Sequence, residues 1–256
     1  MTTVRRVVAP NPGPFTGSGT NTWLLGDGPA LVVIAPGPDD DEHLAALQRA
    51  VGSSAVGIVL VTHAHADHLG LADRFAALHR ARVARHPGLA DGDVVRVGGL
   101  SLTALHTPGH APDHLAYWMA DDRALFTGDL VLGRGSSMVT YPEGDVAACL
   151  RSLERVAALR PRLLFPGHWD PVVDAEAKIE EYHAHRLARE RQVVGELGAG
   201  GGTAAELTER VYAAELAATD AREQLRHAAE MTLRAHLRKL VDEGRVAERE
   251  DRFELA

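Results

Sequence analysis

Short apolar runs bounded by turn residues alternate, over the first two thirds of the chain, with segments whose apolar positions recur at helical spacing. Val4–Val8, Thr22–Leu25, Leu31–Ile34, Gly57–Val61, Leu100–His106, Leu115–Met119 and Arg123–Thr127 are rich in Val, Ile and Leu and are closed by Gly, Pro or Asp, which predicts strands. Asp41–Val51 carries Leu44, Leu47 and Val51 on one helical face, and Leu71–Arg80 repeats the pattern with Phe75 and Leu78. Strands and helices interleave, so the expected class is α/β (α+β), layered. From Asp174 the texture changes. Asp174–Leu197 reads as a long amphipathic helix ended by Gly198–Gly202. Thr203 then caps a short helix to about Tyr212, with Glu206 as its capping-box partner. Arg222–Glu243 is a second long helix with Leu233, Leu237, Leu240 and Val241 on one face, and Arg245–Leu255 fits a small hairpin. This order predicts a winged-helix-like domain over 183–256 behind a body over 1–182.

Composition narrows the classes. The 256 residues are 45% hydrophobic and 24% charged, which excludes wholesale disorder. The single cysteine, Cys149, excludes a disulfide framework and a thiolate metal cluster. The net charge is −8, and residues 183–256 hold 12 Lys/Arg against 14 Asp/Glu, so neither part is a basic nucleic-acid module. Arg234, Arg238 and Lys239 share one helix and read as a solvated face. No apolar run approaches the ~20 residues of a membrane span, and Met1–Pro10 lacks the apolar stretch of a signal peptide. The expected location is cytoplasmic.

The 14 histidines are the oddity. Thr62-His63-Ala64-His65-Ala66-Asp67-His68 follows the apolar run Ile58–Val61. His63 and His65, two apart past a strand end, point the same way and can grip one cation. Asp67 and His68 lie where the chain turns into a helix expected to begin near Leu69, and can face a second cation. Three His and one Asp within six residues are poorly explained as a solvated capping turn. Imidazole with carboxylate and no thiolate suits zinc, manganese or iron in an open rather than a closed structural site. Three later turns at predicted strand ends fit the same centre: Thr107-Pro108-Gly109-His110, Thr127-Gly128-Asp129 and Phe165-Pro166-Gly167-His168. His43, His79, His86, His106, His114, His183, His227 and His236 lack a partner at ligand spacing and read as surface or hydrogen-bonded residues. His185 beside Arg186 follows the last of these turns by one helix. Ser136, Ser137 and Tyr141 are loop hydroxyls rather than a general acid.

With these motifs the chain resembles the metallo-β-lactamase superfamily, marked by His-x-His-x-Asp-His followed by a His, an Asp and a final His. The resemblance implies an αββα sandwich with the site at one edge of two sheets. It implies two divalent metal ions, zinc first and manganese or iron as substitutes. His63, His65 and His110 would bind the first, Asp67, His68 and His168 the second, and Asp129 would bridge them. Asp67 and Asp129 would be the catalytic carboxylates, with a metal-bound hydroxide as nucleophile. Pro10-Asn11-Pro12-Gly13-Pro14-Phe15-Thr16, Gly19-Thr20-Asn21-Thr22-Trp23-Leu24, the Ala175–Ile179 segment with Tyr182, His185 and Arg186, and the winged-helix-like tail are similar to the β-lactamase-like protein 2 family. That likeness implies a hydrolase, with endoribonuclease action on single-stranded RNA as one expectation. A glyoxalase II-like thioester hydrolase is the alternative, and a mononuclear iron dioxygenase or a non-catalytic regulatory protein comes behind it. The expected partner is a small-molecule or single-stranded RNA substrate, with no membrane and no stable nucleic-acid complex; a homodimer is compatible. Two positions depart from the pattern: Ile34-Ala35-Pro36-Gly37 stands where an Asp usually follows the Ile, and Gly70-Leu71 where Gly-Gly is usual. Losing a carboxylate that supports metal ligands commonly lowers affinity or activity ~10–100-fold.

Overall fold

The structure, a computed structural model, describes residues 2–218 and 222–256. It divides into two compact units, Met1–Thr107 with Asp113–Ser137 and Arg155–Glu180, and Pro108–Pro112 with Met138–Glu154 and Glu181–Ala256. The elements run β1 (Val4–Val8), β2 (Asn21–Leu25), β3 (Ala30–Ile34), α1 (Asp41–Val51), β4 (Ala55–Leu60), α2 (Ala66–Leu69), α3 (Ala72–His79), β5 (Arg82–Ala84), β6 (Val94–Val97), β7 (Leu100–His106), β8 (Leu115–Met119) and β9 (Ala124–Gly128). After them come α4 (Val146–Ala158), β10 (Leu163–Pro166), α5 (Ala175–Ala199), β11 (Gly202–Thr203), α6 (Ala204–Val211), α7 (Ala213–Ala217), α8 (Arg222–Asp242), β12 (Val246–Arg249) and β13 (Arg252–Leu255).

The first unit holds two five-stranded sheets, ordered β1-β2-β3-β4-β5 and β10-β9-β8-β7-β6. Side chains alternate across a strand, and in the first sheet both faces are apolar. Trp23, Leu25, Val32, Ile34, Ile58 and Leu60 face the second sheet's Leu102, Leu115, Tyr117 and Phe126. Their neighbours Leu24, Leu31, Val33, Val59 and Val61 face the opposite way, onto Leu44 and Leu47 of α1 and Phe75 of α3. Each fully buried Leu, Ile or Phe contributes roughly 1.5–3 kcal/mol, so helix, sheet and sheet stack on two continuous apolar layers. α1 starts as its sequence specifies, with Asp40 accepting from the His43 backbone N–H at 2.7 Å.

Two strands of the first unit escape the sequence pattern. β5 and β6 are edge strands of three and four residues with exposed Arg82 and Arg96, so no apolar run announces them. The short helix of the His-rich motif also starts earlier than expected, at Ala66 rather than near Leu69. His65 is its extended N-cap, and the His68 and Leu69 backbone N–H groups return to the His65 carbonyl at 3.0 and 2.9 Å.

In the second unit, α6 carries the expected capping box between Thr203 and Glu206. Leu207, Leu233, Leu237 and Leu240 pack with Val193 and Leu197 of α5 and with Val246 and Phe253 of the hairpin. β11 joins β13 and β12 in a three-stranded sheet. Among the described residues no helix is long and apolar enough to cross a membrane.

Candidate metal centre

The site of the first unit lies where strand ends of the two sheets meet. β9 and β10 run parallel, so the turns after them emerge side by side, and the Gly167 N–H donates to the Gly128 carbonyl at 2.9 Å. Asn21, opening β2, donates to the Gly167 carbonyl at 2.7 Å, and Thr20 bridges His168. On the other side Leu115 of β8 donates to the Thr62 carbonyl at 2.7 Å, and the Tyr117 hydroxyl to Val61 at 2.6 Å. These cross-links bring the His-rich motif, Asp129 and His168 together.

Two glycines make the close approach feasible. Gly128 has φ +48, and a Cβ there would lie 2.6 Å from His114 Nε2 and 2.9 Å from the Thr62 side chain. A Cβ on Gly167 would overlap Asp129 Oδ1 and lie 2.7 Å from His68 Cε1.

The donor atoms sit at one repeated spacing. His68 Nε2 is 3.3 Å from His168 Nε2, 3.4 Å from Asp67 Oδ2 and 3.3 Å from Asp129 Oδ1. His168 Nε2 is 3.3 Å from Asp67 Oδ2 and 3.4 Å from Asp129 Oδ2. These separations exceed the usual 2.7–3.2 Å of an N–H···O hydrogen bond. Those among His68 Nε2, His168 Nε2 and Asp67 Oδ2 match one face of a tetrahedron, since ligands ~2.0–2.1 Å from a zinc ion lie ~3.3 Å apart. The residues therefore fit a divalent cation. His63 joins His68 and Asp129 in a second cluster with donor atoms within 4.8 Å. His63 Nε2 also lies 2.9 Å from His65 Nδ1, so the two alternating imidazoles converge as their spacing requires.

The electrostatics of this pocket favour positive charge. Burial alone would raise the Asp67 carboxyl, but the His168 hydrogen bond and the nearby His68 outweigh it and hold it at about 2. Burial likewise opposes ionisation of Asp129, and His68 and His168 overcome it, leaving the group well below the usual carboxylate range. Burial disfavours a charged His168, yet hydrogen bonds to Asp129 and Asp67 carry it up to about 10. Exposure around His68 is uneven: the Asp67 side chain is 30% exposed, while that of His68 is 0% and that of Asp129 11%.

His110 belongs to the second unit, in the connection between β7 and β8. Its Nδ1 lies 2.6 Å from the Met138 carbonyl. A carbonyl only accepts, so Nδ1 carries the proton and Nε2 keeps the lone pair that a metal ligand needs. Ser137 of the first unit is buried and directs its hydroxyl to the Leu130 carbonyl at 3.5 Å.

Sequence reasoning gave no supporting role to four residues of this region. His114 is fully buried, and the Asp129 backbone N–H donates to its Nε2 at 3.1 Å. Its Nδ1 therefore carries the proton, 2.9 Å from Thr107 Oγ1. Thr20 donates to Asp67, and Asn11 to Thr20. His43, read as a surface or hydrogen-bonded residue, is buried with Nε2 3.0 Å from Thr22 Oγ1. Ala35, where a carboxylate is usual, is buried within the apolar core at φ +50. Its Cβ brings no polar atom to the site.

A family model described as the metallo-beta-lactamase superfamily matches residues 15–91 and 89–168, and one described as the beta-lactamase associated winged helix domain matches 203–254. A protein of Caenorhabditis elegans named beta-lactamase-like protein 2 homolog is 33% identical over 94% of this chain and 85% of its own length. An atrochrysone carboxyl ACP thioesterase of Aspergillus chevalieri is 37% identical over 76% of this chain, which spans only 65% of that protein. A crystal structure of a metallo-beta-lactamase family protein from Thermus thermophilus superposes with a TM-score of 0.84 at 25% identity, covering 99% of this chain and 98% of that one.

Proposed function

The chain belongs to the metallo-beta-lactamase superfamily, and from that footing we propose that it is a binuclear metal-dependent hydrolase acting on thioesters. The observation that carries the reading is the set of three donors from His68, His168 and Asp67 spaced 3.3–3.4 Å apart, with one Asp129 oxygen 3.3 Å from His68 and the other 3.4 Å from His168. Asp67, His68 and His168 would hold one divalent ion, His63 and His65 would contribute to the other, and Asp129 would be shared between them. When bound, two such ions lower the pKa of water towards ~7 and offset the charge that grows on a carbonyl oxygen.

The chain's own residues set the rest. Asp129, ionised and almost fully enclosed, would offset the mutual repulsion of two bound cations. Among the donors around His68, Asp67 is the most exposed, so its carboxylate can orient the attacking water. His114 fixes the Asp129 backbone from behind. Zinc suits this nitrogen and oxygen set, and manganese or iron would be accepted by the same donors.

The thioester is placed ahead of single-stranded RNA because five cations of the second unit are already paired. Arg189 pairs with Glu215, Lys239 and Arg245 with Glu190, Arg234 with Glu230, and Arg238 with Asp242. Binding a nucleic-acid strand needs cations that neutralise phosphates and displace the counterions condensed on it. The thioesterase name of one relative agrees with this choice.

The test is a zinc-loaded sample offered a panel of acyl thioesters, a single-stranded RNA and a chromogenic β-lactam. Thioester turnover that disappears with a chelator and in His68→Ala is the expected result. RNA cleavage without thioester turnover would overturn the substrate assignment. A chain that retains no divalent ion would overturn the whole reading.

A further inference from the structure

We propose that Asn11 and Thr20 form a hydrogen-bond relay that positions the Asp67 carboxylate for metal; the inference rests on the metal reading above. Thr20 is fully buried at the end of the loop between β1 and β2. Its backbone N–H donates to Asn11 Oδ1 at 2.9 Å. An amide whose oxygen is held there turns its nitrogen to the other side, and Asn11 Nδ2 donates to Thr20 Oγ1 at 3.0 Å. The hydroxyl has one proton, and an ionised carboxylate can only accept. That proton therefore goes to Asp67 Oδ2, 3.1 Å away. Every direction in the chain Asn11, Thr20, Asp67 is forced by what its neighbour can donate or accept.

The relay stands on a pre-formed support. Thr16 Oγ1 donates to the Asn11 carbonyl at 2.6 Å, and Gly13 and Gly17 exchange backbone bonds at 3.1 and 2.8 Å. The Thr20 backbone bridges His168, so one residue orients Asp67 by its side chain and abuts a second donor by its main chain. Asp67 sits on a four-residue helix and is the most exposed of the clustered carboxylates and imidazoles around His68. Without the relay its carboxylate would be left to His68 and His168, the groups that would share its metal, and metal binding would have to fix its orientation. Holding it in place beforehand removes that cost, the usual effect of groups behind metal ligands.

Zinc titration against a competing chelator tests the relay in the full chain, with wild type, Thr20→Val, Thr20→Ser and Asn11→Ala compared and circular dichroism confirming the fold. Thr20→Val keeps the shape and removes the donor; it should weaken one of two zinc ions ~10–100-fold and leave the other unchanged. Asn11→Ala should weaken the same ion, and Thr20→Ser, which keeps the hydroxyl, should restore it. Wild-type affinity for both ions in Thr20→Val, or a Thr20→Ser as weak as Thr20→Val, would overturn the relay alone. A wild-type chain that binds no zinc would instead overturn the metal reading and the relay with it.

Discussion

His236, on α8, makes the second unit sensitive to acid. It is fully buried, and neither ring nitrogen has a hydrogen-bond partner. Burial first, then Arg186, Arg189 and His185 of α5 and Lys239 of its own helix, lowers its pKa from 6.5 to about 3. Above pH 6.5 the ring is neutral whether the chain is folded or not, and its titration costs nothing. Between pH 6.5 and about 3 the unfolded chain takes up a proton that the folded chain refuses, so stability falls as pH drops. Each pH unit in that window costs ~1.4 kcal/mol, which at pH 5 amounts to ~2 kcal/mol. His236→Leu fills a similar volume and cannot titrate. Urea unfolding at pH 7.5 and pH 5.0, followed by circular dichroism, isolates the effect because every other group is common to both proteins. Wild type should lose ~2 kcal/mol more than the variant on acidification. Equal losses would mean that His236 is protonated inside the fold, and would refute the burial argument.

Other perturbations probe the first unit and the winged-helix domain. Gly167→Ala would push a methyl onto Asp129 Oδ1 and His68; it should reduce zinc retained after dialysis and cost ~1–3 kcal/mol on urea unfolding, whereas full metal content would argue that the turn can yield. His114→Leu strands the buried Asp129 N–H that now donates to Nε2. A loss of ~1–3 kcal/mol in unfolding free energy is expected, and no loss would show that another acceptor replaces the ring. Thr203→Ala breaks the capping box at α6; it should cost ~1 kcal/mol, seen as faster amide exchange at the start of α6 and little change in α1.

Much of the candidate centre was legible because its residues announce themselves locally. His63, His65, Asp67 and His68 fall within six consecutive positions, and Asp129 and His168 each follow an apolar strand through a glycine turn, so parallel pairing of β9 and β10 is enough to align them. The tail was legible for a similar reason, since a capping box and a heptad-like leucine face need no distant partner. His236 could have been placed too: it lies three residues after Leu233 and four before Leu240, on the buried face of α8. Single buried histidines carry no such emphasis in composition, and a polar name on an apolar face reads as an interruption.

The supports of the ligands escape sequence reading for a deeper reason. A ligand must present a particular donor, so its residue type is restricted, and clustering of that type is visible. A support needs only one hydrogen bond in the right place, which Thr, Asn, His or a backbone group can each supply. Thr20 reaches Asp67 across 47 positions and His114 reaches Asp129 across 15, with no motif linking either pair. The usual carboxylate is missing at Ala35, yet the Asp67 and Asp129 positions are held from other directions, by an amide and hydroxyl on one side and an imidazole on the other. The absence of one customary support in a sequence is therefore weak evidence for a weak site, because the geometry that matters is set by whichever neutral donors and acceptors the fold delivers to the two carboxylate-bearing segments.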